Sequence, residues 1–580
     1  MSSFFDDASL VMIPSGYKDG KVYSVKPTSG AGDLTFTRNS NATRVDANGL
    51  VEKVRTNSLL QSNQFDTTWT TTNSTLTSGQ SGYDGSSDAW LLDKSGTQGR
   101  VTQSITQSDL QTLSIYAKKG TSEYLRMFVN GPNSSIYFNL NDGTIQSSSA
   151  IVSGKSTNLG GGWYRCEVAF TGSTTLVNYY PAEAGSTAGT SGNIYIQDAQ
   201  FEQGLVATDY IETTTTAMSE FAGVTASSVA DVPRLDYSGD CPSLLLEPSR
   251  TNIIAYSEYF NTWWGRTAAS ITDNATTSPE GVLNGAKIVE SATTASHLIS
   301  RSSITITSGT SYTLSAFAKA GGRNVFRLFY DDGVNNGYSF FNLSTGAKGT
   351  ESGATGKIEA YSNGWYRCSI TFTSASTSTY IQVLLAEDDE TTIYAGNGTD
   401  GIFFYGAQLE AGAYPTSYLP SHGTTVTRLA DDMDTTFGTP FGTDGSVTFF
   451  LELDAAPLSA ANSTGANFAQ DFVSTDFIAY NHSSAGLHRI RVNANGSAYY
   501  IATSIFQDEP IKIAAVTTAS SFSVYANGQL INTLSIVGDW TTAAALYTSI
   551  TDSIGILPVK QYILFPTALN NAQLVELTTL

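Results

Sequence analysis

Apolar and polar residues alternate over short stretches along most of this 580-residue chain. Residues 195–201, 367–372 and 403–409 are rich in β-branched and aromatic side chains and are bounded by Gly, Asn, Asp and Ser. Alternation with period two predicts β-strands, and such runs recur about every ten residues. Helical spacing with capping residues is suggested only near residues 570–578. We therefore predict an all-β protein made of tandem antiparallel β-sandwiches of the jelly-roll type, with a short N-terminal segment.

The strand pattern occurs twice. A stretch of about 160 residues that begins at Arg55-Thr56-Asn57 recurs from Arg250-Thr251-Asn252, and the offset between matched motifs grows only from 195 to 208 residues. A repeat of this length predicts a duplicated domain rather than a solenoid, with small insertions in loops. The matched motifs include Tyr116-Ala117-Lys118 with Phe317-Ala318-Lys319, Trp163-Tyr164-Arg165-Cys166 with Trp365-Tyr366-Arg367-Cys368, and Ala199-Gln200-Phe201-Glu202 with Ala407-Gln408-Leu409-Glu410.

Turn signals place a hairpin before each copy. The first hairpin turns at Asn48-Gly49, the strongest short-range hairpin signal, and the second turns around Gly239. In the last part of the chain, strands are predicted at 447–453, 477–480, 487–492, 511–516 and 522–525, with a tight turn at Asn527-Gly528. The predicted segments are a virion-docking segment with its hairpin (1–52), a first sandwich (53–217), a linker and hairpin (218–245), a second sandwich (246–425) and a third sandwich (426–580). Residues 1 to about 40 are expected to form a piece of their own.

Composition and charge exclude several classes of protein. Charged residues make up 14% of the chain and the net charge is -21, so nucleic acid is excluded as a partner because phosphate binding needs a basic patch. The first 18 residues lack the basic start and apolar core of a signal peptide, and no run is long enough to span a bilayer. Cys166 and Cys368 occupy matched positions and Cys241 stands alone, which predicts no disulfide framework. We expect synthesis in a reducing cytoplasm, without membrane insertion.

The polar residues form no recognisable catalytic constellation. The four histidines show no metal-ligand spacing, and neither a Gly-x-Ser-x-Gly elbow nor a phosphate loop is present, so no catalytic residue is predicted. His482 and His488 are expected to flank a hairpin. Acidic clusters could supply oxygen ligands for one structural calcium, and the alternative is a set of solvated acidic loops; otherwise no cofactor is expected. The calcium prediction rests on Asp331, Asp332, Asp388 and Asp389.

The repeat separates core residues from candidate binding residues. Tryptophans present in both copies are predicted to pack in the core: Trp69, Trp264, Trp163 and Trp365. Three tryptophans lack a partner, since Trp90 aligns with Lys287, Trp263 aligns with Thr68, and Trp540 lies in the third unit. An indole offers an apolar face to a pyranose ring, so Trp90, Trp263 and Trp540 are the candidate glycan-binding residues, with edge packing as the alternative. The matched charges are predicted to form internal charge pairs: Arg55 and Arg250, Arg126 and Arg327, Arg165 and Arg367, and Glu202 and Glu410.

Several motifs resemble known families. The run Val524-Tyr525-Ala526-Asn527-Gly528-Gln529-Leu530 resembles an element of laminin-G and concanavalin-A-like jelly rolls. The paired units look like the carbohydrate-binding-module sandwiches of tailed-bacteriophage structural proteins. The segments that carry the phage resemblance are Gly406-Ala407-Gln408-Leu409-Glu410, Tyr414-Pro415-Thr416-Ser417-Tyr418-Leu419-Pro420, Val426-Thr427-Arg428, and Phe36-Thr37-Arg38 through Arg55-Thr56-Asn57. The first copy departs from this pattern, because Asp209-Tyr210-Ile211 replaces the proline-containing run.

The resemblance implies a non-enzymatic virion appendage, a tail or head fibre that attaches to host-surface glycans. Its implied partners are other virion proteins and further copies of itself, most often as a trimer, and its implied location is the virion. The alternatives are a purely structural capsid or baseplate decoration and a glycan depolymerase. Hydrolases with a concanavalin-A-like fold carry Glu-x-Asp-x-x-Glu, whereas Glu452-Leu453-Asp454 is followed here by Ala455-Ala456-Pro457. Because retaining hydrolysis needs two carboxyl groups about 5 Å apart, Glu452 and Asp454 are interpreted as ordinary strand-end residues.

Overall fold

The computed structural model describes residues 6–239, 241–435, 445–455, 467–470, 477–482, 487–494, 497–506, 509–536, 546–549 and 556–579. Antiparallel strands dominate these residues, as the alternating pattern predicts. Two α-helices have defined bounds: α1 (Phe260–Trp263) and α2 (Asn571–Thr578). Helix α2 begins with a capping box between Asn570 and Gln573, which satisfies backbone donors of the first turn. None of the described helices has the length and apolar character needed to cross a bilayer.

Sandwich 1 consists of two six-stranded sheets. One sheet has the order β16-β17-β12-β19-β10-β9 and the other has the order β15-β14-β13-β18-β11-β8, with the apolar core between them. The strands are β8 (Thr70–Thr72), β9 (Ser74–Gln80), β10 (Ala89–Lys94), β11 (Arg100–Gln107), β12 (Leu110–Lys119), β13 (Tyr124–Asn130), β14 (Ser134–Asn139), β15 (Ile145–Ser149), β16 (Ser153–Gly160), β17 (Trp163–Thr171), β18 (Thr174–Ala182) and β19 (Gly192–Gln203).

Sandwich 2 repeats this topology strand for strand. Its sheets have the orders β34-β35-β30-β38-β27-β26 and β33-β32-β31-β36-β29-β25, with a small extra pair, β28 and β37, at the edge. The predicted duplication is therefore confirmed. The strands are β25 (Gly265–Thr267), β26 (Ala269–Thr276), β27 (Gly285–Glu290), β28 (Thr294–Ser296), β29 (Leu298–Thr305), β30 (Ser311–Ala320), β31 (Val325–Asp331), β32 (Asn336–Asn342), β33 (Ala347–Ser352), β34 (Thr355–Ala360), β35 (Tyr366–Thr373), β36 (Ser378–Ala386), β37 (Ile393–Ala395) and β38 (Gly401–Ala411).

Strand register corrects one detail of the alignment between the copies. Trp90 lies opposite Ile196, and Ala286 lies opposite Phe404, the residue equivalent to Ile196. Trp90 therefore corresponds to Ala286 and not to Lys287. A shift of one residue moves a side chain to the other face of a sheet, so the sequence alignment of the two copies placed Trp90 on the wrong face.

The last part of the chain forms a third sandwich. Its large sheet has the order β22-β23-β50-β41-β46-β47-β48, and its core also contains residues of a four-stranded sheet, β42 to β45. All five predicted strands are present, and the turn residues Asn527 and Gly528 have φ of 44° and 78°, as a tight hairpin requires. The strands of this part of the chain are β39 (Val426–Arg428), which pairs with β24 (Arg250–Asn252), and β40 (Asp432–Thr435), β41 (Val447–Leu453), β42 (Asn467–Gln470), β43 (Phe477–His482), β44 (Leu487–Ala494), β45 (Ser497–Phe506), β46 (Ile511–Thr517), β47 (Ser521–Ala526), β48 (Gln529–Ser535), β49 (Leu546–Ser549) and β50 (Leu557–Phe565).

The N-terminal segment does not form a piece of its own, contrary to expectation. Strand β1 pairs with β50, β4 pairs with β40, and the hairpin β22–β23 also adds to β50. Strand pairing uses backbone groups, so the sequence of an edge strand does not reveal its partner. The strands of the N-terminal segment and linkers are β1 (Leu10–Met12), β2 (Tyr17–Lys18), β3 (Lys21–Val22), β4 (Leu34–Thr37), β5 (Thr43–Val45), β6 (Val51–Lys53), β7 (Arg55–Asn57), β20 (Met218–Phe221), β21 (Val224–Ala226), β22 (Leu235–Asp236), β23 (Ser243–Leu246) and β24 (Arg250–Asn252).

A buried charge cluster joins these segments where they meet. Its members are Arg38, Arg234, Glu247, Arg428 and Asp431, each at most 1% exposed. Arg234 Nη1 lies 2.6 Å and Arg428 Nη1 lies 2.7 Å from Glu247 Oε2, and Arg38 Nη1 lies 3.2 Å from Asp431 Oδ1. Arg234 also contacts Asp431. We call this group the junction cluster, since it links the N-terminal segment, both sides of sandwich 2 and the start of the third sandwich.

Among the described residues, neither Glu202 nor Glu410 forms an ion pair with a matched arginine, contrary to prediction. Glu202 accepts hydrogen bonds from Thr208, and Glu410 accepts them from Thr416, so each carboxylate closes a loop next to its own strand. Arg126 lies over the ring of Phe128 at 4.6 Å. Stacking on an aromatic ring satisfies a guanidinium without an acidic partner.

The three cysteines are free. Cys166 and Cys368 are buried on equivalent core strands, and Cys241 is exposed. Burial raises the pKa of the Cys166 and Cys368 thiols, which therefore remain protonated in the core.

Candidate functional site

The candidate site lies on the outer face of the first sheet of sandwich 1. Side chains alternate along β12, β17 and β19, so Tyr116, Trp163 and Tyr195 point away from the core side. Tyr83, from the loop between β9 and β10, stacks on Tyr116 with ring centroids 3.9 Å apart and an interplanar angle of 3°. Tyr210 completes an aromatic cluster whose members all belong to sandwich 1. We call this surface the open face.

Carboxylates border the aromatic rings of the open face. The side-chain amide of Gln197 donates to Asp88 Oδ1 at 2.8 Å and to Asp84 Oδ1 at 3.3 Å, and both aspartates are exposed. Tyr83 donates its hydroxyl to Asp198 Oδ2 at 3.0 Å. The arrangement combines half-buried ring surfaces with hydrogen-bond acceptors, as a site for a hydroxyl-bearing ring ligand requires.

Asp198 sits at a strained position in a β-bulge. Its φ is 51°, in the left-handed region, and its equivalent in sandwich 2 is Gly406 with φ of 64°. Burial raises the pKa of Asp198 to about 7. The hydrogen bond from Tyr83 opposes this increase, and the nearby carboxylates of Asp88 and Asp84 add to it by a smaller amount. Strained and desolvated residues of this kind concentrate at functional sites.

The Asp198→Asn variant is expected to be more stable than the wild type at pH 8, by about 1–3 kcal/mol. Because the folded-state pKa is raised, the Asp198 carboxyl contributes stability below its ordinary pKa of 3.8, and that contribution is lost as the pH rises to about 7. Urea unfolding at pH 4, 6 and 8 measures the effect. If the difference in unfolding free energy between the variant and the wild type does not grow between pH 4 and pH 8, the raised pKa of Asp198 is contradicted.

The equivalent face of sandwich 2 carries the same construction but is covered. The aromatic residues there are Phe317, Trp365, Tyr405 and Tyr418, with Phe403 and Tyr361 packed against them. The hairpin β5–β6 lies on this surface: Val51 joins the cluster and its amide donates to the Pro279 carbonyl at 2.9 Å. We call this surface the covered face.

Lys53 inserts its ammonium beneath the covering hairpin. Its Nζ lies 2.9 Å from Glu258 Oε1 and 2.9 Å from Glu280 Oε1. Tyr405 contacts both carboxylates through its hydroxyl, and Tyr418 donates to Glu258 Oε1 at 3.0 Å. The covered face therefore holds a cation supplied by the chain itself.

Residues at equivalent positions make the same contacts on the open face and on the covered face. Ser62 and Tyr210 form a hydroxyl pair at 2.6 Å, and Ser257 and Tyr418 form the same pair at 2.8 Å. The loops 81–88 and 277–284 have equal length, with glycines of φ 87° and 82° at equivalent points. These loops place Tyr83-Asp84-Gly85 where sandwich 2 has Pro279-Glu280-Gly281.

Neither Trp90 nor Trp263, the two unmatched tryptophans that the structure describes, belongs to the open face. Trp90 is 4% exposed, packs with Phe65 in the core and donates its indole N–H to the Asn63 carbonyl, so it offers no ring face to a sugar. Trp263 is half-buried, with the guanidinium of Arg301 4.3 Å from its ring centre. Trp540 lies outside the described residues. The open face could have been found in the sequence from Tyr116 and Tyr195, each of which stands between two core-facing residues of its strand.

Two of the four matched tryptophans, Trp69 and Trp264, pack between the sheets as predicted, whereas Trp163 and Trp365 are buried on the outer faces instead. Trp365 is fully buried and Trp163 is 3% exposed, and the two occupy equivalent places at the start of β35 and β17. Trp69 and Trp264 pack in the cores of their sandwiches.

The predicted calcium ligands do not converge. Asp331 and Asp332 lie at one end of β31, whereas Asp388 and Asp389 follow the strand β36 at the opposite end, about 20 Å away along the sheet. Their oxygens bind loop backbone instead: Asp332 accepts from four groups, and Asp389 accepts from Thr350. In the described ranges no group of three metal-ligating side chains occurs.

The remaining polar candidates are structural. Asp454 forms an ion pair with Lys560 at 3.1 Å, and Glu452 lies opposite Lys512 in the sheet. His482 and His488 lie opposite each other on β43 and β44, and His488 Nδ1 contacts the Tyr480 hydroxyl. This part of the structure supports the interpretation of Glu452 and Asp454 as ordinary strand residues.

Two concave spaces lie between the units. A cavity of about 290 Å³ lies between sandwich 1 and sandwich 2, and three buried polar atoms of its lining residues have no hydrogen-bond partner: Glu280 Oε2, Asn284 Oδ1 and His422 Nδ1. Burial lowers the pKa of His422 to about 4, so this histidine is neutral at pH 7. A wider cleft of about 690 Å³ lies between sandwich 2 and the third sandwich and is lined in part by Tyr237, Tyr361 and Lys357.

Comparisons with known proteins give similarities to solved structures. Neither a protein-family model nor a curated protein matches the chain. The binding domain of Paraclostridial Mosquitocidal Protein 1 is similar over 25% of this chain and 40% of its own length, with 12% identity and a TM-score of 0.20. The chain thus spans less than half of that domain.

Two carbohydrate-binding structures are also similar. The CBM40 of Ruminococcus gnavus IT-sialidase, bound to alpha2,3 sialyllactose, covers 23% of this chain and 83% of its own, with 14% identity and a TM-score of 0.19. The tandem CBM22-1-CBM22-2 domain of Paenibacillus barcinonensis Xyn10C covers 64% and 98%, with 11% identity and a TM-score of 0.19. Similarity at these scores carries no functional argument, and the fold class rests on the strand orders themselves.

Proposed function

We propose that this chain is a non-enzymatic attachment protein that binds carbohydrate through the open face of sandwich 1. One observation carries the proposal. The same aromatic surface occurs in both copies, and the chain covers it in sandwich 2 with the hairpin β5–β6, while the aromatic cluster of sandwich 1 contains residues of that sandwich alone. A half-buried aromatic surface that the protein seals in one copy is available for a ligand in the other.

The chemistry of the open face suits a pyranose. The rings of Tyr83 and Tyr195 are half-buried and offer apolar surface, on which the C–H face of a sugar packs. Asp84 and Asp88 are exposed and accept hydrogen bonds from hydroxyl groups, and acceptors that are ionised make the stronger bonds. Gln197 fixes the positions of both carboxylates through its amide. The open face therefore provides rings on which a sugar can stack and carboxylates that can orient its hydroxyl groups.

The Tyr83→Ala variant of the full chain is expected to bind its glycan about 10-fold more weakly, because an anchoring aromatic ring contributes about 1–2 kcal/mol. A glycan array identifies the ligand, and calorimetry with that ligand measures the affinity. Tyr500→Ala is the matched control, since Tyr500 is 45% exposed and lies on the third sandwich. Normal binding by a folded Tyr83→Ala variant, with loss of binding in Tyr500→Ala, would place the site elsewhere.

We also propose that this protein is a fibre of a virion and forms a homo-oligomer. The resemblance of residues 406–428 and 36–57 to virion proteins supports a tail or head fibre, made in the host cytoplasm and incorporated into the virion with other virion proteins. Tandem sandwiches on short connectors gain rigidity by cyclic association, which supports a homo-oligomer and first of all a trimer. The run from Val524 to Leu530 supports a laminin-G-like or concanavalin-A-like third sandwich.

A further inference from the structure

We propose that the cavity between sandwich 1 and sandwich 2 binds one uncharged sugar ring, as a second carbohydrate site that is separate from the open face. Three buried polar atoms of its lining residues have no hydrogen-bond partner among the described residues: Glu280 Oε2, Asn284 Oδ1 and His422 Nδ1. Buried polar groups nearly always have a partner in folded proteins, because an unpaired one is costly. Three such atoms around one cavity therefore indicate a polar occupant.

The three residues are each at least nine-tenths buried. Glu280 and Asn284 are 5% and 2% exposed, and the side chain of His422 is 10% exposed. Glu280 uses Oε1 for Lys53 Nζ at 2.9 Å and for the Asn284 amide at 3.0 Å. These contacts leave the other carboxylate oxygen and the Asn284 carbonyl oxygen unbound. His422 Nδ1 lies 4.0 Å from Glu258 Oε2, which is too far for a hydrogen bond.

Contacts between the two sandwiches hold the walls of the cavity in place. The carbonyl of His422, in the segment that follows β38, accepts from the Leu110 amide of β12 at 2.8 Å. The ion pairs of Lys53 fix the hairpin β5–β6 beside it. Asn41 and Gln203 line the cavity and are exposed, so a ligand can enter from solvent. A site formed in advance loses little conformational entropy when it binds a ligand.

The size and the apolar lining of the cavity favour a sugar ring over water. Its volume is about 290 Å³, close to the lower limit of about 300 Å³ for small-molecule sites, whereas one water takes about 30 Å³. Three waters would satisfy the three atoms and leave most of the volume against apolar side chains. The C–H groups of a sugar ring can pack there. The apolar residues are Val54, Leu205, Val206, Val282, Leu419 and Val426.

The charges of the lining favour an uncharged ligand. Two basic residues, Lys53 and Arg55, are balanced by two acidic ones, Glu202 and Glu280. Burial lowers the pKa of His422 to about 4, so its imidazole is neutral at pH 7 and has one donor and one acceptor. Burial also raises the pKa of Glu280. A hydroxyl group both donates and accepts, so sugar hydroxyls fit this carboxyl group with or without its proton.

Binding of single sugars to the full chain tests the cavity. The probes are glucose, galactose and mannose, each titrated by calorimetry. At least one of the three is expected to bind at one site per chain.

Two variants change the cavity in different ways. His422→Leu is expected to weaken binding about 10-fold, because it removes one hydrogen bond to the sugar. Val282→Trp is expected to abolish binding, since the indole takes up the space of the ring. Val334→Trp is the matched control, because Val334 is 70% exposed between β31 and β32, and it is expected to keep the wild-type affinity. Thermal unfolding identifies the variants that fold, and either cavity variant suffices for the test.

The Tyr83→Ala variant distinguishes the cavity from the open face. Binding of a single sugar that is lost in Tyr83→Ala and kept in His422→Leu and Val282→Trp belongs to the open face, which overturns the cavity site and supports the proposed function. Loss in the cavity variants, together with array binding that Tyr83→Ala does not change, supports the cavity site and overturns the proposed function. Saturable binding of none of the three sugars shows that the cavity holds only water and overturns the cavity site.

Discussion

The Glu247→Gln variant is expected to lose about 3–5 kcal/mol of unfolding free energy, because removal of one partner from a buried charge cluster leaves its cations uncompensated. Glu247 Oε2 lies 2.6 Å from Arg234 and 2.7 Å from Arg428, and all three side chains are fully buried. Chemical denaturation measures the loss. The matched control is Glu359→Gln, whose carboxylate pairs with Lys357 at the surface, where such pairs contribute less than about 1 kcal/mol.

The stability of the Glu247→Gln variant is also expected to depend on pH differently from that of the wild type. The neighbouring guanidinium groups of Arg428 and Arg234 outweigh the opposing effect of burial and lower the pKa of Glu247 to about 2. A lowered folded-state pKa gives stability that is present above the ordinary pKa of 4.5 and is lost as the pH falls from there to about 2. The acid limb of the stability curve should therefore be steeper in the wild type than in Glu247→Gln. Parallel curves, or a loss no larger than in Glu359→Gln, would show that the cluster does not hold the segments together.

The Trp365→Ala variant is expected to lose about 3–5 kcal/mol, the usual cost of deleting a large buried aromatic side chain. Trp365 is fully buried, donates its indole N–H to the Thr277 carbonyl at 3.1 Å and packs in the cluster that Val51 covers. The substitution removes part of the surface on which the hairpin β5–β6 lies. Hydrogen exchange should therefore show faster exchange at the amide of Val51, which donates to Pro279.

Trp163→Ala is the matched comparison, because Trp163 is the equivalent residue of the open face. The ring of Tyr83, from a loop of the same sandwich, contacts it edge-on in the aromatic cluster, at a centroid distance of 6.3 Å. The side chain of a loop residue can move into the cavity left by Trp163 more easily than a hairpin held at both ends can move into the cavity left by Trp365. The loss of unfolding free energy should therefore be smaller for Trp163→Ala than for Trp365→Ala. An equal or larger loss in Trp163→Ala would mean that the two faces do not differ in how they are covered.

The local features of this protein could be predicted from the sequence. Alternation in stretches such as 195–201 predicted strands, Asn48-Gly49 and Asn527-Gly528 predicted tight turns, and the repeated motifs predicted two sandwiches with one topology. These features depend on residues that are neighbours in the chain, or on comparison of one copy with the other. The predicted core role of Trp69 and Trp264 has the same origin, since a residue shared by two copies is constrained by their shared packing.

The candidate site depended on contacts that the sequence does not show. Trp90 is buried because strand register places it opposite Ile196, and a one-residue error in alignment suffices to reverse the face. Asp331 and Asp388 are separated because antiparallel pairing carries them to opposite strand ends. Arg126, Arg165, Arg327 and Arg367 lie over rings that only the folded sheet brings beside them.

The sequence by itself determined the strands, their turns and the duplication, because period-two patterning and turn chemistry act between near neighbours. Tertiary structure alone decided that β1 joins β50, that Arg38, Arg234 and Arg428 meet around two carboxylates, and that Lys53 covers one aromatic face and leaves the other open. These contacts join residues that lie 190 or more positions apart in most cases, with backbone pairing or burial as their cause. Backbone groups are alike in every residue, so their partners are chosen only when the whole chain packs.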